Sequence, residues 1–166
     1  SALALIVRSA FGVGEVADVT VIDPDRAWTA GAWKSKQRNS PFNGWALQGL
    51  ATHVYVGGRL DDAVAVFARD PFLGTLQFQT AVPGAGLDGV TDVAISPDGA
   101  FLYATGFEDD ALVRFTRNPT TGALSNPSVT SHGAGRVDGL DGPRSVEISR
   151  DGRRLYVTGD VGSVLA

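Results

Sequence analysis

Two overlapping stretches of this chain each occur twice. LDGVTDVAISPDGAFLYATG (87–106) returns as LDGPRSVEISRDGRRLYVTG (140–159) with 12 of 20 positions identical. DDAVAVFARDPFLGTL (61–76) returns as DDALVRFTRNPTTGAL (109–124) with 8 of 16 identical. The offsets are 53 and 48 residues. A repeat of that length is one supersecondary unit that cannot bury its own faces, so each copy must stack on a neighbour. Inside the unit, residues 93–96 form a short apolar strand. Pro97-Asp98-Gly99 follows as a turn, with proline setting φ and glycine supplying φ > 0. Residues 101–105 read as the second strand, Glu108-Asp109-Asp110 as a polar loop and 111–115 as the third strand. Asn118-Pro119-Thr120-Thr121-Gly122 is a second turn, and 123–129 is the fourth and most polar strand.

Four antiparallel strands graded from apolar to polar make one blade of a β-propeller. The complete blade spans about 89–130. Upstream, 53–56, 63–67 and 76–79 match strands two, three and four. Downstream, 145–149, 154–158 and 163–166 match strands one, two and three. The predicted fold class is therefore all-β, a partial β-propeller of about two and a half to three four-stranded blades per chain. Closed propellers need about four blades or more, and an unfinished blade bares the edge of a strand. Closure by homo-oligomerisation is expected. Two N-terminal segments, 19–23 and 45–50, are available to fill missing strands. With them each chain carries three blades and a homodimer, the favoured assembly, closes at six; with the N-terminus packed outside, two to two and a half blades per chain give a five-bladed dimer or, as the alternative, a six- or seven-bladed homotrimer.

Composition limits the partners. A net charge of −4 over 166 residues does not supply the clustered cations that nucleic acid requires. There is no cysteine, hence no disulfide, thiolate metal site or cysteine nucleophile. The opening SALALIV is apolar, but it lacks a basic flank and is too short to span a bilayer. No signal peptide is visible, a soluble protein with no membrane partner is expected, and the compartment stays open. The chain contains no methionine, which suggests a processed or trimmed product.

ISPDG, LYATG, FTRNPTTGAL and the linker GRVDGLDG resemble the lactonase-like, seven-bladed propellers related to 6-phosphogluconolactonase and the muconate-lactonising cyclases, over about 52–166. The resemblance implies the architecture and a small-molecule ligand. It assigns no catalytic residue here. The first fifty residues resemble something else. ADVTVIDPD, then SKQRNSPFNGW, then VGGR, over about 16–59, are similar to the C-terminal end of a dihydroorotase. In that family the metal ligands and substrate residues lie on a barrel that these residues do not include, so dihydroorotase activity is not expected. The organisation is read as a chimera. Residues 1–51 form a dihydroorotase-tail-like segment able to supply strands, and 52–166 form propeller blades. The alternative is a propeller with an unusual N-terminal extension.

Site candidates follow from topology. In a propeller the inter-blade linkers and the loops between strands two and three emerge on one face. Asp88, Asp98, Asp141 and Asp151 precede glycine in repeated turns, and such aspartates cap their own backbone. Asp61-Asp62 and Asp109-Asp110 recur with the repeat and read as hairpin residues. His132, Glu108, Asp160 and Arg136 break the repeat consensus and are the catalytic candidates, suited to general acid–base work and anion binding. His132, Asp138 and His53 are the metal candidates. With two histidines per chain, an all-histidine site would have to be shared between subunits. A divalent metal ion is the one cofactor these residues suggest. His53 also reads as a partly buried strand residue. No GxSxG, HExxH or phosphate-loop motif occurs. Two functions fit: a hydrolase of ester or lactone bonds, with or without metal assistance, in a top-face or axial pocket, or a non-catalytic assembly or binding module.

Overall fold

The computed structural model describes residues 3–5, 17–29, 46–70, 73–135, 137–160 and 163–165. Among these every element is a strand, and every pairing is antiparallel. The first sheet contains β1 (Leu3–Leu5), β2 (Ala17–Thr29), β3 (Ala46–Gly58), β4 (Ala63–Arg69) and β5 (Leu76–Pro83). The second contains β6 (Val90–Ile95), β7 (Phe101–Gly106), β8 (Ala111–Arg117) and β9 (Leu124–Ser131). The third contains β10 (Pro143–Ile148), β11 (Leu155–Gly159) and β12 (Ser163–Leu165). Each sheet is a meander in chain order, which is the topology of propeller blades.

The repeat itself supplies no first strand before residue 53. In the folded chain β2 takes that place, pairing with β3 from Ala17 opposite Gly57 to Thr29 opposite Ala46. Both β2 and β3 lie against β6, as β10 does from the other side. One expectation needs correcting. Residues 46–50 are not a separate filler strand but the first half of β3, continuous with 51–58. The strand continues through Gly49 and a register shift at Thr52, where Val21 pairs with His53 and Ile22 with Ala51.

Alternation within the strands decides how the blades stack. Tyr55, Val64 and Val66 of the first blade meet Val93, Leu102, Val113 and Phe115 of the second in one core. Ala94, Tyr103 and Leu112, on the opposite face of the second blade, meet Val146, Leu155 and Val157 of the third. The fourth strands β5 and β9 are almost wholly exposed; β9 is polar, whereas β5 bares Leu76 and Phe78.

The repeated turns have a repeated chemistry. In the first, Ser96 Oγ donates to Asp98 Oδ1 (2.5 Å), which also accepts the Ala100 amide (3.0 Å). In the second, Ser149 Oγ donates to Asp151 Oδ1 (2.6 Å), which accepts the Arg153 amide (3.1 Å). These donors favour the ionised form, and both carboxyls are held below their ordinary range by the serine first and the amide second. Asp98 and Asp151 are turn residues.

Candidate functional site

The linkers between blades and the hairpins between second and third strands come together on one face. Asp62 and Asp110 each adopt a left-handed conformation (φ 49°) at equivalent hairpins. Asp62 Oδ1 accepts the Gly89 amide (3.1 Å), and Asp110 Oδ1 accepts the Gly142 amide (2.9 Å). Each blade thus grips the LDG linker that opens the next blade. This is the physical reason why DD and LDG recur together.

On this gripped surface sits an array drawn from all three blades. Phe107, half-buried, has the Arg59 guanidinium at 5.4 Å from its ring centroid and the Arg144 guanidinium at 4.8 Å. Each arginine also meets a carboxylate. Glu108 lies 3.8 Å from Arg59, and Asp160 accepts from both Nε and Nη2 of Arg144, the latter at 2.8 Å. That two-pronged pair lowers the Asp160 carboxyl below its ordinary range and makes the Arg144 guanidinium hold its proton more firmly. Both arginines remain about one-third exposed, at 33% and 38%. The array sets two guanidiniums, each paired with a carboxylate, around an apolar ring at the water boundary, an arrangement able to hydrogen-bond a small polar molecule while the ring supports its apolar face.

Next to Arg59 is a group of carboxylates. Asp88, exposed on the linker, has Asp62, Asp109 and Glu108 around it. Its amide donates to Asp109 Oδ2 (3.0 Å), and its carbonyl accepts the Glu108 amide (3.1 Å). The Asp88 carboxyl is pushed up, first by partial loss of hydration and then by the charges of Asp62, Asp109 and Glu108. A carboxylate whose pKa is raised by lost hydration and by neighbouring carboxylates is a candidate for proton transfer.

The residues singled out from sequence are thus distributed over separate places. Glu108 and Asp160 meet in one array through Arg59, Phe107 and Arg144. His132 and Asp138 lie together on the linker after β9, with Nε2 3.9 Å from Oδ1, both well exposed. Arg136 lies outside the described residues. Among those described, no three His, Cys, Asp or Glu side chains are arranged to hold a metal ion. Three members of the array were overlooked in the sequence. Arg59 sits where two resemblances overlap, and neither Arg144 nor Phe107 belongs to a motif that the repeat or the resemblances mark. The useful signal was GLDGPR following a blade, with an arginine where its twin has Thr91.

His53 belongs to the interior instead. It is buried on β3 with Nδ1 3.5 Å from Arg117 Nη2 and 3.1 Å from Thr52 Oγ1. A methyl group at Gly122, which has φ 73°, would collide with its ring. Burial lowers its pKa most, the Arg117 charge adds to this, and a backbone bond at Thr121 opposes it. The sign of the linkage is clear. The unfolded chain takes up the proton near pH 6.5 and the folded one only lower, so stability is full above that value and falls as pH drops through it. Urea midpoints are expected to decline between pH 7.5 and 5.5, and to decline less in His53→Gln. An equal decline in both proteins would remove His53 as the cause.

The three stacked meanders are blades of a β-propeller. More narrowly, residues 46–136, over half the chain, match the family model described as lactonase, 7-bladed beta-propeller, and the chain belongs to that family. A periplasmic gluconolactonase of Pseudomonas aeruginosa is 28% identical with a TM-score of 0.54, covering 63% of this chain and 29% of that one. A candidate 6-phosphogluconolactonase of Bacteroides uniformis shares the fold at 18% identity and a TM-score of 0.55, covering 90% of this chain and 46% of that one. A dihydroorotase of Geobacter metallireducens is 49% identical over 55 residues, 32% of this chain but 13% of that enzyme. A dihydroorotase of Desulfotalea psychrophila is 51% identical over 49 residues, 28% of this chain and 12% of that enzyme. The chain thus joins a short dihydroorotase-like segment to lactonase-type blades, and spans less than half of each of these relatives. No helix among the described residues is long and apolar enough to cross a membrane.

Proposed function

We propose that this chain forms part of a hydrolase acting on the lactone of an acidic or polyhydroxylated small molecule. The observation that carries this reading is the Arg59–Phe107–Arg144 array, bordered by the Asp88 carboxylate group, on blades of the lactonase family. The gluconolactonase likeness supports a sugar-derived lactone as the substrate class. In this reading the guanidiniums hold the anionic or hydroxyl-rich side of the substrate, and the Phe107 ring supports its apolar face. Asp88 accepts a proton from water as that water attacks the lactone carbonyl. The tetrahedral oxyanion then collapses, the ring C–O bond breaks, and the proton passes to the departing alkoxide, leaving an open-chain hydroxy acid. Glu108 holds Arg59, and Asp160 holds Arg144. His132 and Asp138 supply a second acid–base pair on the same linker system.

Hydrolysis of glucono-δ-lactone, followed by proton release at pH 7, tests this reading. Wild-type protein is expected to exceed the spontaneous rate. Arg144→Gln, which removes an anchoring cation but not the proposed base, is expected to raise KM by about tenfold with a smaller change in kcat. No rate above background with gluconic and galactonic lactones would leave the non-catalytic binding module as the better reading.

A further inference from the structure

The charge around the array bears on which lactones it can take. Neither guanidinium is unpaired. Asp160 takes the Nε and Nη2 donors of Arg144, and Glu108 lies 3.8 Å from Arg59. Four more carboxylates lie on the same grip between hairpins and linkers. Asp62 and Asp110 accept the Gly89 and Gly142 amides, Asp109 Oδ2 accepts the Asp88 amide, and Asp88 brings a carboxylate of its own. Gly142 in turn backs the array, since a methyl group there would stand 3.0 Å from the Phe107 ring and 3.4 Å from Asp160 Cβ. Among the described residues this face therefore sets six carboxylates against two guanidiniums. The raised Asp88 carboxyl, pushed up by lost hydration and then by Asp62, Asp109 and Glu108, responds to the same excess of negative charge.

Such a surface prefers one kind of ligand. Carboxylate oxygens accept hydrogen bonds and arginine N–H groups donate them, and Asp160 engages two of the five donors on Arg144. A polyol suits both sides. Its hydroxyls donate to the carboxylates, its oxygens accept from the guanidiniums, and its C–H face can rest on the Phe107 ring. A carboxylate group on the ligand offers acceptors only. It must also compete with Glu108 or Asp160 for a cation that is already paired.

We propose that the site takes an uncharged, polyhydroxylated lactone, turns away anionic relatives of that lactone, and repels the carboxylate that hydrolysis makes from it. This rests on the lactonase reading for the reaction and adds the charge of the substrate. Water adds across the lactone carbonyl, the ring C–O bond breaks, and the hydroxy acid so formed loses its proton to solvent at neutral pH. The substrate is neutral and the product is an anion, so the field acts on the second and not on the first. In water-like surroundings a carboxylate about 8 Å from a bound monoanion weakens its binding roughly twofold before screening. Asp62, Asp88, Glu108, Asp109 and Asp160 are exposed, so screening applies, and the excess together is worth about tenfold against a monoanion.

D-Gluconamide and D-gluconate test this directly. They match in shape, differ in charge and contain no lactone, so neither needs to be turned over. In calorimetric titration at pH 7 and low salt, gluconamide is expected to bind about tenfold more tightly than gluconate. At roughly 0.5 M salt, where screening acts within a few ångströms, that ratio should fall toward one. Asp109→Asn combined with Glu108→Gln, which keeps the acceptors and removes two charges, should narrow the low-salt ratio about fourfold by strengthening gluconate binding. Equal or tighter binding of gluconate would overturn the proposal, as would the binding of neither compound. A preference indifferent to both salt and the double variant would also defeat it, because the discrimination would then not be one of charge. Turnover of glucono-δ-lactone is scored separately. Turnover with tight gluconate binding sinks this inference and leaves the lactonase reading standing, whereas a salt-sensitive preference for gluconamide without turnover does the reverse.

Discussion

Asp88→Asn is expected to lower kcat for lactone hydrolysis by roughly 10²–10⁴, the usual contribution of a positioned general base. Asparagine keeps the shape of the side chain but cannot accept the proton. The pH profile gives a second readout. Asp88 must be ionised to act, and its carboxyl is raised by lost hydration and by Asp62, Asp109 and Glu108. The acid limb of wild-type activity should therefore lie above the ordinary carboxylate value of 3.8. Asp109→Asn removes one of the charges responsible. It should move that limb toward lower pH while leaving a base in place. An Asp88→Asn protein with full kcat and an unshifted limb would give the role to another carboxylate, with Glu108 the next to test.

The largest effect on stability is expected from Phe115→Ala. Phe115 is 1% exposed and lies in the core shared by the first two blades, with Tyr55, Val66, Leu102 and Val113 around it. Deleting its ring removes the transfer energy of the side chain and leaves a cavity between two sheets held apart by their own hydrogen bonding. The expected loss is about 3–5 kcal/mol, read from urea unfolding at constant m. Phe67→Ala is the internal control. It alters the equivalent position on the first blade, which is only partly buried with Phe78 edge-on against it, and should cost well under half as much. Equal losses would mean that the two faces are equally buried in solution.

The blades were legible because their information is local and repeated. Period, alternation and the PDG and NPTTG turns place strands directly, since each feature acts within a few residues. The role of 17–29 was only half legible. ADVTVIDPD reads as a strand, but pairing it with 46–58 joins segments separated by a polar stretch and forms no part of the repeat. The site was less legible still. Glu108 and Asp160 stood out because they break the consensus, yet their function depends on Arg59 and Arg144, which lie 49 and 16 residues away in sequence. His53 was weighed as a ligand because a polar residue begins an apolar strand. Its actual surroundings, Arg117 and Gly122, come from a blade that sequence distance does not reveal.

The grip of Asp62 on Gly89, repeated by Asp110 on Gly142, bears on how such a chain could have lengthened. The acceptor lies near the end of one hairpin and the donor just ahead of the next blade, so a segment copied in tandem brings its own half of two joints. The new copy finds a matching half on each side without further change. Growth by whole-unit duplication is thus built into the backbone, and so is the ease with which a run of blades can be cut out and spliced to an unrelated coding segment.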